Sequence, residues 1–357
     1  MSTGSFTGIV AAFLATLLPI FPRSAVLAQN SGWQVVITLP ETQASHGVAN
    51  GVGIDPRNTG WGYTVDTASG RLVKFNTAGS ILASWAIQKA RAHRARLAVN
   101  SNGNIWVADG SNDVWEYSPQ GRLLTHWTGF GGLRAIAVDR HDNTYLAQYQ
   151  SHSVVERSPM GATLHHWNSQ TLWHGQNAGY ATGVAVSRTS GVYISTTCLV
   201  NVSCARRLGY LAGNRPDQWT DALFPLVNQM SGGDGVAIVG LERTIYGVPE
   251  APRDQCNNRF VMLQELSTDK AGRLFVAGIL WPRTQSQPFL AVGLGPGEPG
   301  CSHDGIGASW TTWPVPATNP GGSDAVHGLA VDATGSIYIA QRNRILRRSG
   351  AVTESGK

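Results

Sequence analysis

The chain has 357 residues, 42% of them apolar and only 14% charged, with a formal net charge of +5. That balance excludes a disordered chain, and without a continuous basic stripe so small a charge gives nucleic acid no footprint. The 42 glycines and 17 prolines fall where turns are needed, so a packed protein of short strands is expected.

In chain order, Thr7 to Ile20 is an apolar run of about a dozen residues, too short to span a bilayer comfortably. Ser24 to Ala28 follows as a small-residue cleavage site. Residues 1–28 therefore read as a signal peptide and the protein as secreted, periplasmic or extracellular, with no stable membrane span after cleavage. Retention as an uncleaved anchor is the alternative, and Pro19 and Pro22 argue against a continuous spanning helix. Trp33–Leu39 is a lone strand with no hairpin before it. The last unit, near the C-terminus, stops one strand short, so this N-terminal strand is expected to complete it and close a ring.

Between these ends one hairpin pattern recurs. It can be registered on Asp55, Asn100, Asp139, Ser187, Val239, Asp269 and Asp332, at a mean step of about 46 residues. Asn104 to Trp127 shows the unit most clearly: three β-rich runs separated by Gly110–Asp113 and Ser118–Gly121, with Leu97–Asn100 as a fourth strand upstream. Gly79, Gly121 and Gly161 each precede a strand ending in a tryptophan, Trp85, Trp127 and Trp167, which are 42 and 40 residues apart. The expected fold is all-β, a β-propeller of four-stranded antiparallel blades over residues 29–349, followed by a tail over 350–357. Seven hairpins favour seven blades; six follow if the Gly235 hairpin is an insertion. The region Glu250–Pro316 is irregular, and one blade there is expected to lack a strand while its neighbour carries an insertion over Pro282–Ser309. The basic run Lys89–Arg96 reads as a solvated loop between two blades.

The four cysteines, Cys198, Cys204, Cys256 and Cys301, suit disulfides in an exported protein. Of three connectivities, Cys198–Cys204 with Cys256–Cys301 is favoured, and none of the spacings suits zinc on thiolates.

Propeller geometry selects the residues just before each innermost strand, because these open onto one mouth of the central channel. They are His46, His93, Arg134, Thr182, Asp234, and His327 with Asp324 upstream; Glu265 opens the remaining inner strand. His327, His46 and His93 form a candidate metal set for a divalent ion such as zinc or calcium. Asp324 or Asp234 would act as base or support, and Arg134 would clamp an anionic group. Trp173 and His174, in the long Trp167–Thr182 connection, and Trp281 are candidate ligand-binding residues. His165 and His166 read as structural, and His126, His141 and His152 as solvated.

The units resemble the NHL repeat, most closely at Ile105–Asp109, which implies a propeller but no single activity. Val326–Asp332 resembles the inner-strand motif of the peptide-amidating lyases, in which a histidine before each of three inner strands holds zinc above the channel. Here the match is confined to one unit, since Arg134 and Asp234 stand at the equivalent positions. His327 also resembles the catalytic histidine of streptogramin-opening lyases. Two functions follow from these readings. The favoured one is a scaffold that binds a small molecule, glycan or protein, but not nucleic acid, through loops around the channel. The alternative is a metal-assisted lyase or hydrolase with a His-based site.

Overall fold

A computed structural model describes residues 32–39, 49–87, 95–168, 180–186, 192–197, 208–211, 219–221, 259–270, 273–282, 287–293, 310–316 and 326–350. Among them are six four-stranded antiparallel sheets, each running from an inner to an outer strand. Blade 1 is β2 (Ala49–Ile54), β3 (Trp61–Asp66), β4 (Arg71–Asn76) and β5 (Ile81–Ala86). Blade 2 is β6 (Arg96–Val99), β7 (Ile105–Ala108), β8 (Val114–Tyr117) and β9 (Leu123–Trp127). Blade 3 is β10 (Leu133–Val138), β11 (Thr144–Gln148), β12 (Ser153–Arg157) and β13 (Thr163–Asn168). Blade 4 is β14 (Tyr180–Val186), β15 (Val192–Thr197), β16 (Leu208–Leu211) and β17 (Trp219–Asp221). Blade 5 is β18 (Arg259–Thr268), β19 (Leu274–Pro282), β20 (Gln287–Gly293) and β21 (Trp310–Pro314). Blade 6 is β22 (Val326–Val331), β23 (Ile337–Gln341) and β24 (Arg344–Arg348), completed by β1 (Trp33–Thr38).

The closing strand is where the unpaired ends of the sequence place it. β1 lies antiparallel on β24, with Trp33 opposite Arg348 and Thr38 opposite Arg344. Val36 and Ile37 of β1, and Leu39 just after it, pack with Ala49, Val73 and Phe75 of blade 1 and with Tyr338 and Ile345 of blade 6. The first and last parts of the chain are thereby locked through one apolar cluster.

Inner strands contact one another in the cycle β2, β6, β10, β14, β18, β22 and back to β2. The described blades thus close a ring of six, where seven hairpins favoured seven. β14 packs directly on β18, which leaves no interval for a blade between them; the Gly235 hairpin lies outside the described residues. The expected missing strand is also corrected. Blade 5 is complete because Pro282–Ser309, read as an insertion, contains β20, and the connection after Gly213 contains β17.

Two local devices recur among the described residues. In five blades an Asp or Asn after the inner strand accepts backbone N–H bonds from the turn that follows, in Asx-turn fashion. Asn100 takes Asn102 and Asn104 at 3.1 and 2.9 Å, Asp139 takes His141 and Asn143 at 2.8 Å each, and Asp332 takes Thr334 and Ser336 at 2.8 and 2.9 Å. The second device is an aromatic ring in the next strand: Tyr63, Trp106, Tyr145, Tyr193, Phe275 and Tyr338, all buried. Tyr145 and Tyr338 also donate their hydroxyls to Asp139 and Asp332 of their own hairpins. Between blades the apolar faces fuse into clusters, such as Tyr63, Leu72, Leu97, Val107 and Trp115 between blades 1 and 2. Blade-end tryptophans belong to this packing: Trp85 of blade 1 lies over Gly121 of blade 2, and Trp127 of blade 2 over Gly161 of blade 3.

Candidate functional site at the channel mouth

The six inner strands carry the same five-residue pattern, so each position in it forms a layer around the channel. The second position supplies Val52, Leu97, Ile136, Val184, Leu266 and Leu329. These line both a small upper cavity of about 30 Å³ and a lower one of about 210 Å³, and so form an aliphatic belt between them. The position above the belt holds Gly51, Ala135, Gly183 and Gly328 in four blades, but Arg96 in blade 2 and Glu265 in blade 5. Blades 2 and 5 are opposite in a ring of six. Arg96 Nε and Glu265 Oε1 meet at 2.5 Å across the channel.

That ion pair is buried, with the two side chains only 15% and 8% exposed. The contact joins one nitrogen to one oxygen rather than forming the two-pronged fork that arginine usually offers a carboxylate. Arg96 Nη1 donates to the carbonyl of Ala95 at 3.0 Å. Burial pushes the Glu265 carboxyl up to about 7, although Arg96 pulls it down. The sequence reading placed Arg96 in a solvated loop, and this is corrected. Arg96 is the first residue of β6 and points into the channel, because the inner strand of blade 2 begins one residue before its apolar run.

Above the pair the strands are irregular. The register slips between Leu133 and Ala135, between Ala181 and Gly183, and between Val326 and Gly328, leaving Arg134, Thr182 and His327 at β-bulges. A bulge adds an unpaired residue and re-aims its side chain. Half-buried His327 is driven down to about 4, mainly by burial and secondarily by the Arg96 charge, so its imidazole is neutral at physiological pH. Arg134 stacks on Tyr149, its guanidinium carbon 4.3 Å from the ring centroid. Thr182 Oγ1 sits 3.2 Å from Ser195 Oγ.

Of the residues singled out in the sequence, His327 and Arg134 are described, each at a bulge near the start of its inner strand. His46, His93, Asp234, Asp324, Trp173, His174 and the four cysteines lie outside the described residues, and Trp281 is located only as a backbone position in β19. Among the described residues no three His, Cys, Asp or Glu side chains are grouped to hold a metal ion, and the cation beside His327 is Arg96, whose charge opposes a dication. His165, read as structural, bonds Glu156 at 2.7 Å and stacks on Trp167. His126, read as solvated, is exposed but reaches Asp113 at 3.1 Å.

No family model and no curated protein matches the chain. Solved structures do resemble it. A streptogramin B lyase aligns at a TM-score of 0.51 and 12% identity, over 88% of this chain and 96% of that one. A gluconolactonase from Xanthomonas campestris aligns at a TM-score of 0.51 and 13% identity, over 90% and 92%. At such identity the likeness is one of fold. The chain is an all-β propeller of four-stranded antiparallel blades, in the company of lyase and lactonase propellers.

Proposed function

We propose that the protein is an exported, NHL-type propeller that binds a small polar ligand at the channel mouth, with His327 as the residue that meets it. One observation carries this reading. His327, Arg134 and Thr182 stand at bulges near the start of their inner strands, next to a small cavity lined by the buried Arg96–Glu265 pair and underlain by an aliphatic belt, an arrangement that suits a polar ligand. Residues 1–28 would be removed on export, and Cys198–Cys204 and Cys256–Cys301 would brace blades 4 and 5. A glycan or protein ligand is accommodated only if it inserts a polar group into the same pocket. The test is a small-molecule screen on the mature protein, read by the side-chain nitrogen resonances of His327. Ligands that shift those resonances and lose affinity in His327→Ala support the reading. Ligands bound with equal affinity by His327→Ala overturn it.

A second reading, a lyase or hydrolase with a His-based site, is favoured by a carboxyl raised to about 7 and a neutral imidazole that both sense the Arg96 charge. Such perturbed groups suit proton transfer. Elemental analysis of the mature protein beside His327→Ala tests its metal-assisted form: a stoichiometric divalent ion lost in the variant supports it, and an unchanged metal content counts against it.

A further inference from the structure

The Arg96–Glu265 pair has features that a purely structural ion pair does not need. Its partners come from opposite blades and are the only side chains longer than methyl in their layer, the others being Gly51, Ala135, Gly183 and Gly328. Glu265 is more than nine-tenths buried, meets Arg96 through Oε1, and lines a cavity of about 30 Å³, room for a water-sized group. A guanidinium prefers a carboxylate held by two parallel N–H bonds, and Glu265, reaching over from the far wall, does not offer that geometry. The aliphatic belt below offers a charged group no polar partner, so a charged group entering from the mouth is best held at this layer.

Resting on the mouth as the ligand site, we propose that the ligand carries a carboxylate, which seats on Arg96 in the place that Glu265 holds. Glu265 acts as a built-in competitor of the same chemistry. On exchange the ligand brings one negative charge to Arg96, and Glu265 takes up one proton from solvent and withdraws as the neutral acid, so the charge of the layer is conserved. The groups facing Glu265 favour that outcome. β6 contributes Arg96, β22 contributes neutral His327 and β10 contributes Arg134 further up; β2 and β14 contribute only Asn50, Gly51, Thr182 and Gly183, which do not titrate. A carboxylate fits the space that a carboxylate vacates, whereas the bulkier, doubly charged phosphate does not.

Acetate is the probe, titrated into the mature protein at constant ionic strength with chloride as the balancing anion, and followed by calorimetry and by the His327 resonances. In the native protein the affinity for acetate is expected to fall about tenfold per pH unit above pH 7, because each acetate bound carries one proton onto Glu265. Glu265→Gln removes the competitor's charge while keeping its shape, and is expected to bind acetate at least about tenfold tighter at pH 8, with no dependence on pH. Acetate affinity that is flat with pH in the native protein overturns the proposal, as does a preference for inorganic phosphate over acetate. Should Glu265→Gln fail to fold, the native pH series and the phosphate comparison decide alone. Neutral ligands that shift His327 while acetate does nothing at pH 6 would leave the mouth as the ligand site and sink only the carboxylate.

Discussion

At the scale of single residues, Glu265 and His327 make opposite demands on pH. The Glu265 carboxyl, ordinarily near 4.5, is raised to about 7, so its contribution to stability is complete below about 4.5 and is lost as pH rises to about 7. His327, ordinarily near 6.5, is lowered to about 4, so its contribution is present above about 6.5 and is lost as pH falls to about 4. Between pH 4.5 and 6.5 the two slopes oppose each other. Each single variant should expose the slope of the other group. The melting temperature of His327→Asn is expected to decline more steeply than that of the native protein as pH rises from about 4.5 to 6.5, and that of Glu265→Gln to decline more steeply than that of the native protein as pH falls from about 6.5 to 4.5. Parallel pH profiles for both variants would show that neither group is displaced as described. A second residue-scale prediction concerns Gly121, whose φ is +80° and whose missing Cβ would collide with the Trp85 ring of the preceding blade. Gly121→Ala should destabilise by about 1–3 kcal/mol, through overpacking added to left-handed strain. Gly70, also left-handed at +64° but with open space around it, is the control. Gly70→Ala should cost only about 1 kcal/mol, and equal losses at the two sites would rule out the tryptophan contact as the cause.

At the scale of the element, five of the inner hairpins are fastened by their own carboxylate or amide, Asp55, Asn100, Asp139, Asp269 and Asp332. Asp332 accepts from the Thr334 and Ser336 amides and from the Thr334 and Tyr338 hydroxyls, four bonds to one side chain. Asp332→Ala strands those donors and should cost about 2–3 kcal/mol in chemical denaturation, whereas Asp332→Asn keeps an acceptor in place and should cost less. The hairpins were legible because such turn chemistry is local. A carboxylate closing on amides two and four residues later leaves a fixed spacing in the sequence, as does the aromatic ring six residues after Asp139 and Asp332. Outer strands were less legible. β17 and β20 sit in stretches rich in turn residues, and only pairing with β16 and β19 identifies them as strands.

At the scale of the whole molecule, stability depends on closure. Deleting Trp33–Leu39 removes buried Trp33, Ile37 and Leu39 and bares the edge of β24. Because β1 also packs on blade 1, the loss is expected to lower the entire calorimetric transition and to promote association, rather than to split off a separate early melt of blade 6. A two-step transition with five blades melting at the native temperature would contradict that view.

The sequence by itself determined the repeat, the four-stranded blade and the N-terminal strand that closes the ring. All of these rest on interactions within about ten residues or on one unmatched strand at each end. Blade number and the Arg96–Glu265 pair were decided only by the tertiary structure. Both residues stand visibly in a column otherwise filled by Gly51, Ala135, Gly183 and Gly328, but a column does not say which residues face one another. With seven blades no two positions are diametrically opposed. With six, blades 2 and 5 are, and two charges 169 positions apart in the chain become a single ion pair across the axis. The number of blades follows from how wedge-shaped, buried faces stack around a common centre, a property of the packed ring that no local stretch of residues contains.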